Sequence, residues 1–147
     1  MKEGRARFWW HWLIAVTVGV LLFGASMVLA PGFTRQFFGV LLFSSPEAIA
    51  DYGEPAVAYI TLVHGVLGAV MFGWGFALLF IVLGPLRRGS HDAWLTLAVS
   101  VAAWFIPDTA FSLLTGFWQN AALNIVFAVL FLIPLTATYR TCRQAHT

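Results

Sequence analysis

Four apolar runs constrain this chain more than any other feature: residues 11–30, 56–83, 93–115 and 120–138. Each is long enough to cross a hydrocarbon layer of ~30 Å, which takes about 20 helical residues. A backbone in lipid must satisfy its own N–H and C=O groups, and separate apolar runs do so as helices. The breaks carry Pro31-Gly32, Ser45-Pro46, Gly84-Pro85, Gly89-Ser90 and Gly116, residue types that stop helices or turn the chain. The expected fold class is therefore all-α, an integral membrane four-helix bundle forming a single domain over residues 1–147. The chain is 61% hydrophobic and 10% charged, against about 45–50% and 25% for soluble domains. The lipid bilayer is accordingly its expected solvent.

Lys2, Arg5 and Arg7 precede the first run, and Val28-Leu29-Ala30 has the small-residue character of a cleavage site. A signal peptide would put Pro31 directly after the cut and would have an apolar region of only about 7–15 residues, so a retained helix is expected. With four spans, both termini share a side with the loop between the second and third. That side holds Lys2, Arg5, Arg7, Arg87, Arg88, Arg140 and Arg143, seven of the eight cations, and leaves Arg35 opposite. The positive-inside rule makes it cytoplasmic, in a multi-pass protein of a bacterial-type inner (plasma) membrane. Cations flanking apolar runs in small groups are topology signals, so the net charge of +2 implies no nucleic-acid partner. Trp9, Trp10, Trp12, Trp94 and Tyr139 are expected to form the inner aromatic belt, and Tyr52, Tyr59 and Trp118 the outer one.

Between the first two spans lies FTRQFFGVLLF, residues 33–43. Eleven residues are too few to span, which predicts an outer interfacial or re-entrant helix. It would either cap an opening there as a lid or simply rest on lipid.

Polar residues inside apolar runs mark where chemistry or helix contact is concentrated. Asp108 lies about eight residues inside the outer end of the third span, or ~12 Å deep at 1.5 Å per residue. His64 lies at the same depth in the second span, and Asn124 at roughly 9 Å in the fourth. Trp104, Asp108 and Ser112 are four apart on one helix face, as are Asn120 and Asn124 on the next. Pro107 lacks an N–H, so the Ala103 carbonyl loses its helical donor and a kink is expected. A charged aspartate at membrane depth costs at least ~2.5–3.5 kcal/mol, so it is expected to face the interior with a partner. The expected set is His64 with Asp108, completed by Asn124 and Ser112, and flanked by Asn120 and Trp104. It reads either as a polar clasp holding helices in register or as a ligand-binding or proton-handling site.

Gly65, Ala69, Gly73 and Ala77 recur every four residues along the second span, and Gly68 and Gly75 thin the same helix further. Such a stripe admits a close helix partner, either within this chain or from another subunit or copy.

Several chemistries fall away. His11, His91 and His146 sit at or beyond the cytoplasmic edge, so a bis-histidine haem within the membrane has no second ligand; a single axial His64 beside Gly65 and Gly68 stays open. Lys2 is the only lysine, which leaves no buried Schiff-base amine. No phosphate loop, nucleophile elbow or zinc-binding HExxH occurs. Cys142 is the only cysteine, so neither an intrachain disulfide nor a cysteine-based metal site is possible. Ser112 or Thr109 could act as a nucleophile only with Asp108 and His64, yet such hydroxyls commonly bond their own helix. No catalytic residue, metal or cofactor is assigned.

The basic N-terminus, the outer loop and the stretches VHGVLGAVMFGWG and WFIPDTAFSLLTGFWQNAALN together resemble the small bacterial four-helix membrane proteins grouped as DoxX-like. The resemblance implies the four-helix bundle and a role beside redox or transport complexes, with no role for any particular residue. The function expected is a non-enzymatic accessory or assembly subunit of a larger membrane complex. The alternative is a small-ligand, cofactor or proton-handling protein with an outward-opening pocket at His64, Asp108 and Asn124.

Overall fold

A computed structural model describes residues 2–144, without the side chains of residues 2, 3, 5, 6, 140, 141, 143 and 144. The described residues form five α-helices and one short 3-10 turn, Ala50–Tyr52, with no strand. The helices are α1 (Lys2–Leu29), α2 (Pro31–Phe43), α3 (Glu54–Leu83), α4 (His91–Leu114) and α5 (Trp118–Gln144). Four of them contain stretches long and apolar enough to cross a membrane: Arg7–Leu29, Glu54–Leu83, His91–Leu114 and Trp118–Tyr139. These coincide with the four runs read from sequence, and the helices extend a few residues beyond most of the run ends.

Helix ends follow local chemistry. Pro31 starts α2 at its first position, where its missing N–H is harmless and its fixed φ suits the helix. α2 ends at Ser44, whose φ of 58° is left-handed, while the Ser45 N–H donates to the Gly39 carbonyl at 3.3 Å. A side chain at Gly39 would collide with that return, since a Cβ there would lie 2.6 Å from the Ser45 oxygen. Ser90 caps α4, its side chain accepting from the Ala93 N–H. Gly116, at φ 85°, turns the short link from α4 to α5.

The chain divides into two compact units, one comprising α1 up to Val18 with everything from Ala77 on, the other Gly19–Phe76. In the first, α4 and α5 pack along each other. Its interior includes Leu13, Thr17, Val82, Leu97, Phe131 and Leu135, all nearly inaccessible. Tryptophans supply its directional contacts. The Trp94 Nε1–H donates to the Leu135 carbonyl at 2.8 Å, the Trp10 Nε1–H to the Val82 carbonyl at 2.8 Å, and the Trp12 Nε1–H to the Leu130 carbonyl at 3.0 Å.

Two of these acceptors are free because of proline. Pro134 lies inside α5 and has no N–H to offer the Leu130 carbonyl four residues earlier; the Trp12 indole takes that place. Pro85 likewise cannot serve the Ile81 carbonyl, so the Leu86 N–H shifts to Ile81 at 3.0 Å. That shift orphans the Val82 carbonyl, to which Trp10 donates. The belt tryptophans of the sequence reading are thus also donors that complete broken helical ladders.

In the second unit, α1 crosses α3 backbone against backbone. A Cβ built at Gly24 would lie 2.8 Å from the Gly68 oxygen, and one at Gly68 would lie 2.7 Å from the Gly24 oxygen and 2.5 Å from the Met27 Cβ. A Cβ at Gly75 would lie 2.9 Å from Leu21. The contact face within the chain is therefore Gly68 and Gly75. Of the stripe read from sequence, Cβ atoms at Gly65 and Gly73 would meet nothing within 4 Å, and Ala69 and Ala77 are exposed. Close approach needs a small residue on both helices, and Gly24 of α1 meets Gly68 rather than the stripe.

Candidate functional site

The sequence places Asp108 and Ser112 one turn apart, and the structure uses that spacing. The Ser112 hydroxyl lies 2.8 Å from the Asp108 carbonyl and 3.3 Å from Asp108 Oδ1. The tight link through Gly116 returns the chain so that α5 starts beside them. Its Asn120 Nδ2 donates to Ser112 Oγ at 2.8 Å and to Asp108 Oδ1 at 3.1 Å. Both amide hydrogens are thereby used, and the single Ser112 proton is left for Asp108. One turn deeper, the Asn124 Nδ2 lies 3.4 Å from Thr109 Oγ1. Ser112 and Asn124 are buried, and Asp108, Thr109 and Asn120 are half-buried.

Four of the six candidate polar residues, Asp108, Ser112, Asn120 and Asn124, thus join α4 to α5 within one unit. Thr109, considered in sequence only as a nucleophile, belongs to the same seam as the acceptor for Asn124. Trp104 sits further along α4, edge-on to Phe127 of α5 at a centroid distance of 6.5 Å. The helix continues through Pro107 without interruption.

His64 belongs to the other unit, among different neighbours. Its ring stacks on Phe38 of α2 at 4.6 Å with planes 19° apart, and its Nδ1 is buried with no hydrogen-bond partner among the described residues. One turn away, the Arg35 Nη1 donates to Thr61 Oγ1 at 3.0 Å, and Thr61 in turn donates to the Val57 carbonyl at 2.7 Å. Arg35 and Phe38, three apart on α2, thus hold that helix along Thr61 and His64, three apart on α3. Sequence spacing signalled both pairs, yet neither was read as a joint.

At the opposite end of α4 and α5, a second polar region takes in residues assigned in sequence only to topology. The Arg87 guanidinium lies 5.0 Å from the centre of the Trp10 ring. The His11 Nδ1 donates to the Arg7 carbonyl at 2.7 Å, since a carbonyl can only accept. Trp94 packs against Tyr139 at 5.0 Å and His91 at 6.2 Å. A cavity of ≈410 Å³ opens here, lined by Arg7, Trp10, His11, Leu13, Leu86, Arg87, Gly89, Thr138 and Cys142. The Cys142 side chain is buried, and burial pushes its thiol above the ordinary range. That makes it a poor nucleophile near neutral pH.

Among the described residues, no three His, Cys, Asp or Glu side chains gather as a metal site would require. No family model, curated protein or solved structure matches the chain.

Proposed function

We propose that the chain is a non-enzymatic membrane subunit that docks on a larger membrane assembly through the open face of α3. The observation that carries this reading is the contrast between the two small-residue faces of that helix. Gly68 and Gly75 are filled by α1, whereas Gly65 and Gly73 have free space where a Cβ would stand. In lipid, packing of small residues is a main source of helix association, and an unfilled stripe of four leaves that energy to a partner. The polar seam from Asp108 to Asn124 is spent on internal hydrogen bonds, which favours a clasp over a reaction centre. The resemblance to DoxX-like four-helix proteins points the same way. The partner is a different membrane protein; a second copy of this chain is the alternative outcome. Native mass spectrometry in mild detergent tests the reading. A heteromeric complex lost in Gly65→Leu/Gly73→Leu supports it, and a lone monomer from gently solubilised membranes contradicts it.

A second reading is favoured by the buried, unbonded Nδ1 of His64 beneath Phe38: a small-ligand or proton-handling site at that imidazole, covered by α2. An absorption spectrum and mass spectrometry of the purified protein test it, since a bound quinone, haem or pigment would be seen directly. Unchanged spectra and the absence of any bound small molecule count against it.

A further inference from the structure

We infer that the cavity between the N-terminal part of α1, the α3–α4 link and the C-terminal end of α5 binds a phosphate-bearing anion, supplied by the headgroup of an anionic phospholipid. Its lining residues all belong to one compact unit. Two guanidinium side chains, Arg7 and Arg87, line it together with His11, and the described lining contains no carboxylate to neutralise them. Guanidinium groups are fork-shaped donors matched to phosphate oxygens. Both arginines are exposed on the protein side, so their hydrogens are available to a ligand. Trp10 holds Arg87 in place from below, its ring 5.0 Å away, while its own N–H is committed to Val82.

The volume of ≈410 Å³ falls within the range of about 300–1,000 Å³ typical of small-molecule sites. The walls decide between a soluble anion and a lipid. Leu13 and Leu86 form an apolar surface beneath the basic rim. The rim lies toward the N-terminal end of α1 and the C-terminal end of α5, with Arg7 and Arg87 outside the apolar runs at 11–30 and 120–138. A charged rim over an apolar wall at the end of a span suits a headgroup whose acyl chains continue into the bilayer, and basic pockets between cytoplasmic helix ends are known to hold such headgroups. This site is independent of the α3 face and of His64.

The test uses the full-length protein, delipidated in a neutral detergent and titrated with short-chain phosphatidylglycerol, phosphatidylcholine or inorganic phosphate. Tryptophan fluorescence and native mass spectrometry report binding. Phosphatidylglycerol is expected to bind saturably, with phosphatidylcholine much weaker. Arg7→Gln/Arg87→Gln should weaken phosphatidylglycerol by roughly thirty-fold, from about 1 kcal/mol for each basic group. Arg88→Gln, outside the lining, should change it less than two-fold. Arg7→Lys/Arg87→Lys keeps the charge and should retain most of the affinity, which separates lost charge from misfolding. Inorganic phosphate binding as tightly as the lipid would support the anion site and overturn the lipid as its source. Equal phosphatidylglycerol affinity in the Arg7/Arg87 double variant and in Arg88→Gln would overturn the site itself.

Discussion

Replacing Trp12 by Phe isolates one hydrogen bond whose worth can be derived from the covalent structure of the chain. The Trp12 indole donates at 3.0 Å to the Leu130 carbonyl, which has no helical donor because residue 134 is proline. Phe keeps an aromatic ring and removes only the N–H, leaving the carbonyl unpaired among half-buried groups. An unsatisfied buried acceptor costs about 1–3 kcal/mol. Hydrogen bonds measured inside membrane proteins average about 0.6 and reach about 1.7 kcal/mol, so a loss of about 1–2 kcal/mol is expected. The context decides whether the reasoning is right. In Pro134→Ala the backbone N–H of residue 134 returns to the Leu130 carbonyl, and the same Trp12→Phe change should then cost less than about 0.5 kcal/mol, the ring exchange alone. The double-mutant cycle should show coupling of about 1 kcal/mol, read from reversible unfolding of the four forms in mixed micelles. Equal costs of Trp12→Phe in both backgrounds would refute the idea that the indole replaces the missing proline donor.

Other consequences are as specific. Gly68→Ala puts a methyl 2.5 Å from the Met27 Cβ and 2.7 Å from the Gly24 oxygen, and should destabilise by about 1–3 kcal/mol as α1 and α3 separate. Gly65→Ala, with nothing within 4 Å, should be neutral or slightly stabilising by the same unfolding assay. Asn120→Ala removes both donors to Asp108 and Ser112, and should cost about 1–2 kcal/mol and speed amide exchange in the residues linking α4 to α5. Cys142 should react slowly with iodoacetamide at pH 7.5. Because burial raises its pKa, the thiolate fraction at any pH is below that of a free cysteine and the rate should climb only at higher pH; a rate matching free cysteine would contradict its burial.

The lengths and order of the four long apolar helices were legible because twenty-residue apolar runs and Pro-Gly breaks are one-dimensional signals. The seam at Asp108 was partly legible for a similar reason: Ser112 and Asn120 sit at helical spacings on either side of a short turn, so local geometry nearly dictates that they meet. Depth alone grouped His64 with Asp108, and depth says nothing of azimuth, so the Phe38 stack went unseen. The small residues of α3 were legible, but which of its glycines meet α1 depends on where Gly24 falls, a two-helix property. Pro134 shows a missed inference of another kind. The reasoning applied to Pro107, that a proline leaves the carbonyl four residues earlier without its helical donor, holds equally for Pro134 and Leu130, and the tryptophans near the N-terminus were the available donors.

The proposal that α3 docks a partner is tested most directly by a photoactivatable benzoyl-phenylalanine at Ala69, irradiated in native membranes, with the same probe at Phe80 as the control. The account predicts one discrete protein adduct from position 69, absent from position 80 and abolished by Gly65→Leu/Gly73→Leu. A probe at Ala69 that yields only monomer, or the same diffuse products as at Phe80, would show that this face meets lipid and would contradict the account.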